Sequence, residues 1–146
     1  MTAMVGVALR FTMDIDTSIK NQNLSVEDAR RIVDEIKDID LGDGVTFEVK
    51  EVSNIMDEME YPGIRFTMNV VMGKLVTPMK IDISTGDVIT PRAIDYKYKL
   101  LLDERSISLW SYTLETILAE KLQTVLARGL LNTRMRDFYD IKTLLS

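Results

Sequence analysis

The chain has 146 residues, enough for one domain with a core of its own, and it contains neither cysteine nor histidine. Those two absences exclude disulfides, thiolate metal sites, Ser-His triads and histidine-bound metals, so any catalysis must use carboxylates, lysine, arginine or hydroxyls. The formal net charge of −5 argues against a nonspecific coat for nucleic acid, and the apolar runs are too short for a membrane-spanning helix.

The first predicted element is a strand with a polar face. Residues 11–19 read FTMDIDTSI, in which polar and apolar side chains alternate. Asp14 and Asp16 lie on the same side of such a strand, about 6–7 Å apart. Their charges repel each other unless a cation lies between them, and a divalent cation held there also orients phosphate oxygens. The alternative is an exposed strand with two solvated acids.

A helix and three strands are predicted next. Ser25 and Asp28 form a capping box, behind which an apolar stripe predicts a helix that ends near Gly42. Alternation predicts strands at 45–52, 64–72 and 78–84, and the turn through Gly73 and Lys74 joins the last two in an antiparallel hairpin.

Asp82 lies in the second strand of that hairpin, between two isoleucines. A third acid on a strand next to Asp14 and Asp16 completes a set of three carboxylates for a metal ion. Such oxygen ligands favour Mg²⁺ or Mn²⁺. The alternative is a polar-face residue that pairs with Lys80 or Lys50.

The last third of the chain predicts two short extended pieces within 94–110 and then helices at about 113–128 and 134–145. The order of strand, helix, three strands, extended pieces and two helices is typical of an α+β fold. We expect a mixed or mostly antiparallel sheet with flanking helices.

Lys121 is the unusual residue of the first of these helices, because a helical wheel places it inside the apolar stripe. A core-facing ammonium is costly unless it is paired or reaches a cavity, so Lys121 is either a phosphate ligand or part of a structural ion pair. On the last helix Asp137 lies on the apolar side, as a partner of Lys121 or a substrate-orienting group, whereas Asp140 points away from that side. Arg134 and Arg136 flank Asp137 and are phosphate-binding candidates, with solvated surface charges as the alternative.

Four segments in this order resemble the AbiEii/AbiGii-type toxin family, and they span nearly the whole chain. The segments are RFTMDIDT at 10–17, KIDISTGD at 80–87, LETILAEKL at 114–122 and RMRDFYD at 134–140. The resemblance implies a nucleotidyltransferase-like fold and a toxin of a toxin–antitoxin or phage-abortive pair. Some family members transfer a nucleotide from an NTP to tRNA ends with Mg²⁺.

The resemblance also implies roles for single residues. Asp14 and Asp16 match the metal-binding acids, Asp82 stands where a third acid is expected, Lys121 matches a lysine that holds NTP phosphates, and Asp137 matches an aspartate of the closing motif. The family's glycine-rich turn upstream of the paired acids is not found here. We therefore expect a single domain over residues 1–146 that lacks upstream and downstream parts of full-length members.

Three functions follow from these residues. The first is metal-dependent nucleotidyl transfer, with catalytic Asp14, Asp16, Asp82, Lys121 and Asp137, and with substrate bound by Lys80, Arg134 and Arg136. The second is a metal-dependent nuclease that uses Glu48 and Lys50 on one strand. The third is a catalytically inactive nucleotide- or partner-binding module, which the missing glycine-rich turn favours.

The expected partners are an NTP, tRNA as the implied acceptor, and a cognate antitoxin, with no membrane. The apolar run from Met4 to Leu9 favours a homodimer, because an unpaired apolar edge tends to associate with another chain. The N-terminus lacks the zones of a secretory signal, so we expect the protein in the cytoplasm.

Overall fold

The computed structural model describes residues 14–19, 24–55, 63–85, 90–100, 104–129 and 133–145. These residues fall into two compact units, one spanning Thr12–Asp87 and the other including Val88–Ser146. The order of the elements confirms the predicted α+β class and is that of a nucleotidyltransferase-like fold. The single-domain organisation stays a prediction, and the apolar run at Met4 to Leu9 lies outside the described residues. Within the described ranges, no helix combines the length and the apolar character that crossing a membrane requires.

The first unit is a mixed four-stranded sheet with one helix. Its elements are β1 (Asp14–Ile19), α1 (Val26–Lys37), β2 (Val45–Ile55), β3 (Gly63–Met72) and β4 (Leu75–Thr85). The strand order is β1-β4-β3-β2. β3 is antiparallel to both β2 and β4, which confirms the predicted hairpin, whereas β1 is parallel to β4.

The core of this unit lies between α1 and one face of the sheet. Ala29 and Val33 of α1 pack with alternate residues of the central strands, chiefly Phe66, Met68 and Ile83. Because strand side chains alternate, the residues between these point to the opposite, polar face of the sheet. The core therefore fixes which side chains of β1, β3 and β4 share the polar face.

The ends of α1 and the turn of the hairpin follow local chemistry. The Asp28 backbone N–H donates to Ser25 Oγ at 3.1 Å, which confirms Ser25 as the N-cap, and the Ser25 hydroxyl donates to the Asp28 carboxylate at 2.8 Å. The helix ends at Lys37, earlier than the predicted end near Gly42. In the hairpin, Gly73 adopts a φ of +59°, a conformation that favours glycine, and β4 begins directly after the turn at Leu75.

The second unit contains β5 (Ile94–Lys99), β6 (Ser106–Ser111), α2 (Leu114–Arg128) and α3 (Met135–Leu144). β5 and β6 are the two short extended pieces expected from the sequence, and they form an antiparallel pair. The predicted apolar stripe of α2 is only partly correct, because Leu114, Leu122 and Leu126 are exposed. The buried residue of α2 is Thr116, whose hydroxyl donates to the Thr90 carbonyl oxygen at 2.6 Å.

Candidate functional site

Three aspartates share the polar face of the four-stranded sheet. In the parallel pairing of β1 with β4, Asp16 is the register partner of Asp82, and Asp14 is the partner of Lys80. Paired residues of adjacent strands point to the same face, and residues two apart on a strand do so as well. Asp14, Asp16 and Asp82 therefore form a group on one face, which we call the acid row, and Lys80 lies next to it.

Hydroxyl groups join β1 to β4 beside the acid row. Ser18 and Ser84 share a hydrogen bond of 2.7 Å between their hydroxyls, and the Thr17 hydroxyl donates to the Asp82 carbonyl oxygen at 3.2 Å. These bonds add to the backbone pairing of the two strands. They help to hold the register between β1 and β4, whose residues are far apart in the chain.

Arg65 binds the third aspartate of the row. Its Nε lies 2.8 Å from Asp82 Oδ1, and its second guanidinium nitrogen lies 2.6 Å from Oδ2, so the contact is bidentate. The two residues are register partners on β3 and β4. Neither Lys80 nor Lys50, the partners considered from the sequence, makes this contact.

The acid row stabilises a positive charge at the position of Arg65. Hydrogen bonding to Asp82 raises the pKa of the Arg65 guanidinium above its ordinary value, against the opposing effect of burial. The charges of Asp82, Asp14 and Asp16 raise the same pKa further. All three carboxylates thus act electrostatically on the Arg65 guanidinium.

A hard divalent cation fits this set of oxygen donors, with one qualification from the geometry. Among the residues that the structure describes, no three acidic side chains come together as a ready-made metal site. The two carboxylate oxygens of Asp82 are directed to Arg65. Asp14, Asp16 and Asp82 are the residues that would hold such a cation, and Asp82 would join the set only on leaving Arg65.

A second charged group lies in the helical unit, and we call it the lysine cluster. Lys121 Nζ lies 3.3 Å from Asp137 Oδ1 and 2.7 Å from Asp140 Oδ2, and Arg134 Nε lies 3.0 Å from Asp137 Oδ2. The side chains of Asp137 and Asp140 are 4% and 0% exposed, and that of Lys121 is 18% exposed. The contact between Lys121 and Asp137 agrees with the expectation from the helical wheel.

Asp140 was judged wrongly from the sequence. The wheel placed it away from the packed side of α3, whereas it is fully buried and is the nearer of the two carboxylates to Lys121. The buried residues of α3 are its two aspartates, while Phe138 and Leu145, expected on the packed side, are exposed. The cause is Lys121, whose ammonium offsets the cost of burying both acids.

The remaining candidates lie at the surface. Arg136 is exposed, and so is Lys80. Glu48 and Lys50, the pair considered for a nuclease, bind each other at 2.8 Å with about half of each side chain exposed. Their contact is that of an ordinary surface ion pair, which contributes little to stability.

Comparison with known proteins assigns the chain to a family. The family model described as "Nucleotidyl transferase AbiEii toxin, Type IV TA system" matches residues 1–146. No curated protein and no solved structure matches the chain. The match covers every residue, including the strand that carries Asp14 and Asp16 and the helices of the lysine cluster. The chain therefore belongs to the AbiEii family of nucleotidyl transferase toxins of type IV toxin–antitoxin systems.

Proposed function

We propose that this chain catalyses metal-dependent transfer of a nucleotide from an NTP to a hydroxyl of an acceptor nucleic acid, with tRNA as the acceptor. The observation that carries the proposal is the parallel register of β1 and β4, which brings Asp16 beside Asp82 on the face that also bears Asp14. Membership of a nucleotidyl transferase family supports the reaction class.

The acid row is suited to bind Mg²⁺ or Mn²⁺ because its donors are carboxylate oxygens. When bound, the divalent ion neutralises phosphate charge and makes the α-phosphorus easier to attack. Asp14 and Asp16 would hold that charge on β1, the edge strand of the sheet that pairs with β4. Lys80, the register partner of Asp14, supplies a cationic side chain on the same face for the triphosphate.

The bonds change as in any nucleotidyl transfer. The acceptor hydroxyl oxygen forms a bond to the α-phosphorus, and the bond from that phosphorus to the bridging α–β oxygen breaks. Pyrophosphate leaves, and the hydroxyl proton passes to water. The chain's contribution is to position the triphosphate and to stabilise the charge that moves to the leaving group.

The proposed partners follow from the same family. A type IV toxin–antitoxin system includes an antitoxin, so we propose a cognate antitoxin for this chain. The family resemblance implies that Lys121 holds NTP phosphates and that Asp137 belongs to the closing motif, and the position of Arg134 and Arg136 beside Asp137 makes them phosphate-binding candidates. That assignment remains a proposal, and it requires Lys121 to exchange the carboxylates that now hold it for phosphate.

The decisive test is mass spectrometry of tRNA after incubation with the chain, Mg²⁺ and each NTP in turn. We expect the RNA mass to rise by whole nucleotides with at least one NTP. Asp14→Asn should abolish the increase, because it removes one of the two carboxylates that hold the cation. Glu48→Gln is the matched control, since it removes an acid from the same sheet outside the acid row, and it should leave transfer intact.

The two alternative functions give different results in the same experiment. A nuclease shortens the RNA and loses activity with Glu48→Gln, and a binding module leaves both the RNA and the NTP unchanged. Either result would overturn the proposed transfer.

A further inference from the structure

We propose that Arg65 is a resident counter-cation of the acid row, which competes with the divalent ion for Asp82 and thereby sets the affinity for metal. This inference rests on the proposed function, because it concerns the same metal site. It assigns a role to a residue on β3 that the sequence segments shared with the family do not contain.

The geometry of the contact shows that Arg65 occupies ligand positions. Both Asp82 oxygens accept hydrogen bonds from the guanidinium, at 2.8 and 2.6 Å. Bidentate pairs of this kind are the strong, directional ones. A metal ion that takes Asp82 as its third ligand must therefore displace at least one of these bonds.

The position of Asp82 in the row makes this competition local. Asp82 pairs with Asp16 on one side, in β1, and with Arg65 on the other, in β3. Its carboxylate thus lies between a neighbouring acid and the guanidinium, within one sheet and on one face. We therefore expect the exchange of one partner for the other to need side-chain rotation and no change in the backbone pairing.

The fold of the sheet does not depend on the pair. The side chains of Arg65 and Asp82 are 39% and 21% exposed, so both are in contact with water and the desolvation left behind by removing one of them is moderate. The core residues that hold β3, chiefly Phe66 and Met68, point to the opposite face. Substitution of Arg65 is thus expected to leave a folded protein in which metal binding can be measured.

The experiment is titration of the whole chain with MnCl₂ alone. Binding is measured by calorimetry and by the electron paramagnetic resonance signal of free Mn²⁺. Arg65→Gln should bind Mn²⁺ about ten- to twentyfold more tightly than the unsubstituted chain. That is the size expected for removing one unit charge roughly 5 Å from a divalent ion in a water-like dielectric. Arg65→Lys keeps the charge but loses the planar fork, so it should shift the affinity in the same direction by a smaller factor.

Two controls separate competition for Asp82 from a general effect of charge. Lys50→Gln removes a cation from the neighbouring strand β2, where it binds Glu48, and should change Mn²⁺ affinity by less than twofold. In the Asp82→Asn background, Arg65→Gln should increase the Mn²⁺ affinity less than it does alone, because no carboxylate is released. Thermal melts establish that each variant is folded.

The outcomes distinguish this inference from the proposed function. If the unsubstituted chain binds Mn²⁺ and Arg65→Gln binds it equally or more weakly, Arg65 does not compete and the inference fails while the metal site stands. A gain of the same size with Lys50→Gln would overturn it in the same way. If none of the proteins binds Mn²⁺, the metal part of the proposed function fails, and this inference fails with it.

Discussion

Lys121 holds one ammonium against two carboxylates that are almost completely withdrawn from water. Burying an ion costs several kcal/mol, and here the cost is offset by the opposite charges within the group. With Arg134 included, the lysine cluster contains two positive and two negative side chains. Lys121 is the member that contacts both buried aspartates, so its loss weakens the compensation of two buried charges.

We expect Lys121→Met to destabilise the protein by about 3–5 kcal/mol, because it removes the ammonium that pairs with the buried carboxylates of Asp140 and Asp137. The measurement is a urea melt beside Lys142→Met, which removes a lysine from the exposed side of α3. Adding Asp140→Leu to Lys121→Met should restore most of the loss, since a buried ion pair is then replaced by apolar groups. A fully stable Lys121→Met that has lost transfer activity would instead identify Lys121 as a phosphate ligand.

The register between neighbouring strands determines which residue lies beside each aspartate of the acid row. The sequence alternation around Asp14, Asp16 and Asp82 predicts their common face, and the structure has them on one face. The partner Arg65 was missed, although a signal for it exists. Counting outward from the two-residue turn at Gly73 and Lys74, the seventh step from Met72 and from Leu75 reaches Arg65 and Asp82. The register of a tight hairpin thus contains information that composition and alternation alone do not use.

Among the boundaries of the elements, the start of α1 is the one that the sequence predicts best. The hydrogen bond from the Asp28 N–H to Ser25 Oγ satisfies one of the unpaired donors of the first helical turn. We expect Ser25→Ala to lower the free energy of unfolding by about 1 kcal/mol. Ser53→Ala, at an exposed position of β2, is the control in the same urea melt and should be close to neutral. Equal stability of both variants would show that the cap is not formed in solution.

The helices α2 and α3 show why wheel-based reasoning succeeds less well than strand alternation. A strand has two faces, and in β3 and β4 the apolar face is the buried one. A helical wheel assumes that the apolar side is buried, yet in α3 the buried residues are Asp137 and Asp140, three residues apart and on one side. That spacing is visible in the sequence. What the sequence does not contain is the position of Lys121 opposite them, which depends on how α2 packs against α3.

At the scale of the whole molecule, charge separates a specific site from a general attraction for cations. The chain has a net charge of −5, and α1 is itself rich in acids on its exposed side. At physiological salt, exposed charges more than about 8 Å away are largely screened. Affinity for a divalent ion should therefore depend on the acid row rather than on the total charge.

We expect Asp14→Asn combined with Asp16→Asn to abolish binding of Mn²⁺ in calorimetry, because two carboxylates of the proposed metal site are removed. The matched control is Asp34→Asn combined with Asp38→Asn, which removes the same charge from α1 and its C-cap. It should bind Mn²⁺ as the unsubstituted chain does. Equal loss of affinity in both double variants would mean that the protein attracts the ion only through its overall charge.

The parallel pairing of β1 with β4 has a consequence for the time at which the acid row forms. Asp16 and Asp82 are neighbours in the sheet but 66 residues apart in the chain, whereas β3 and β4 are joined by a two-residue turn. Closing the long loop costs more entropy than forming the hairpin, so β1 is expected to join a sheet that already exists. On a ribosome that adds 5–20 residues per second, Asp82 is made about 3–13 s after Asp16. During that interval the nascent toxin contains Asp14 and Asp16 but not Asp82, so the acid row cannot form.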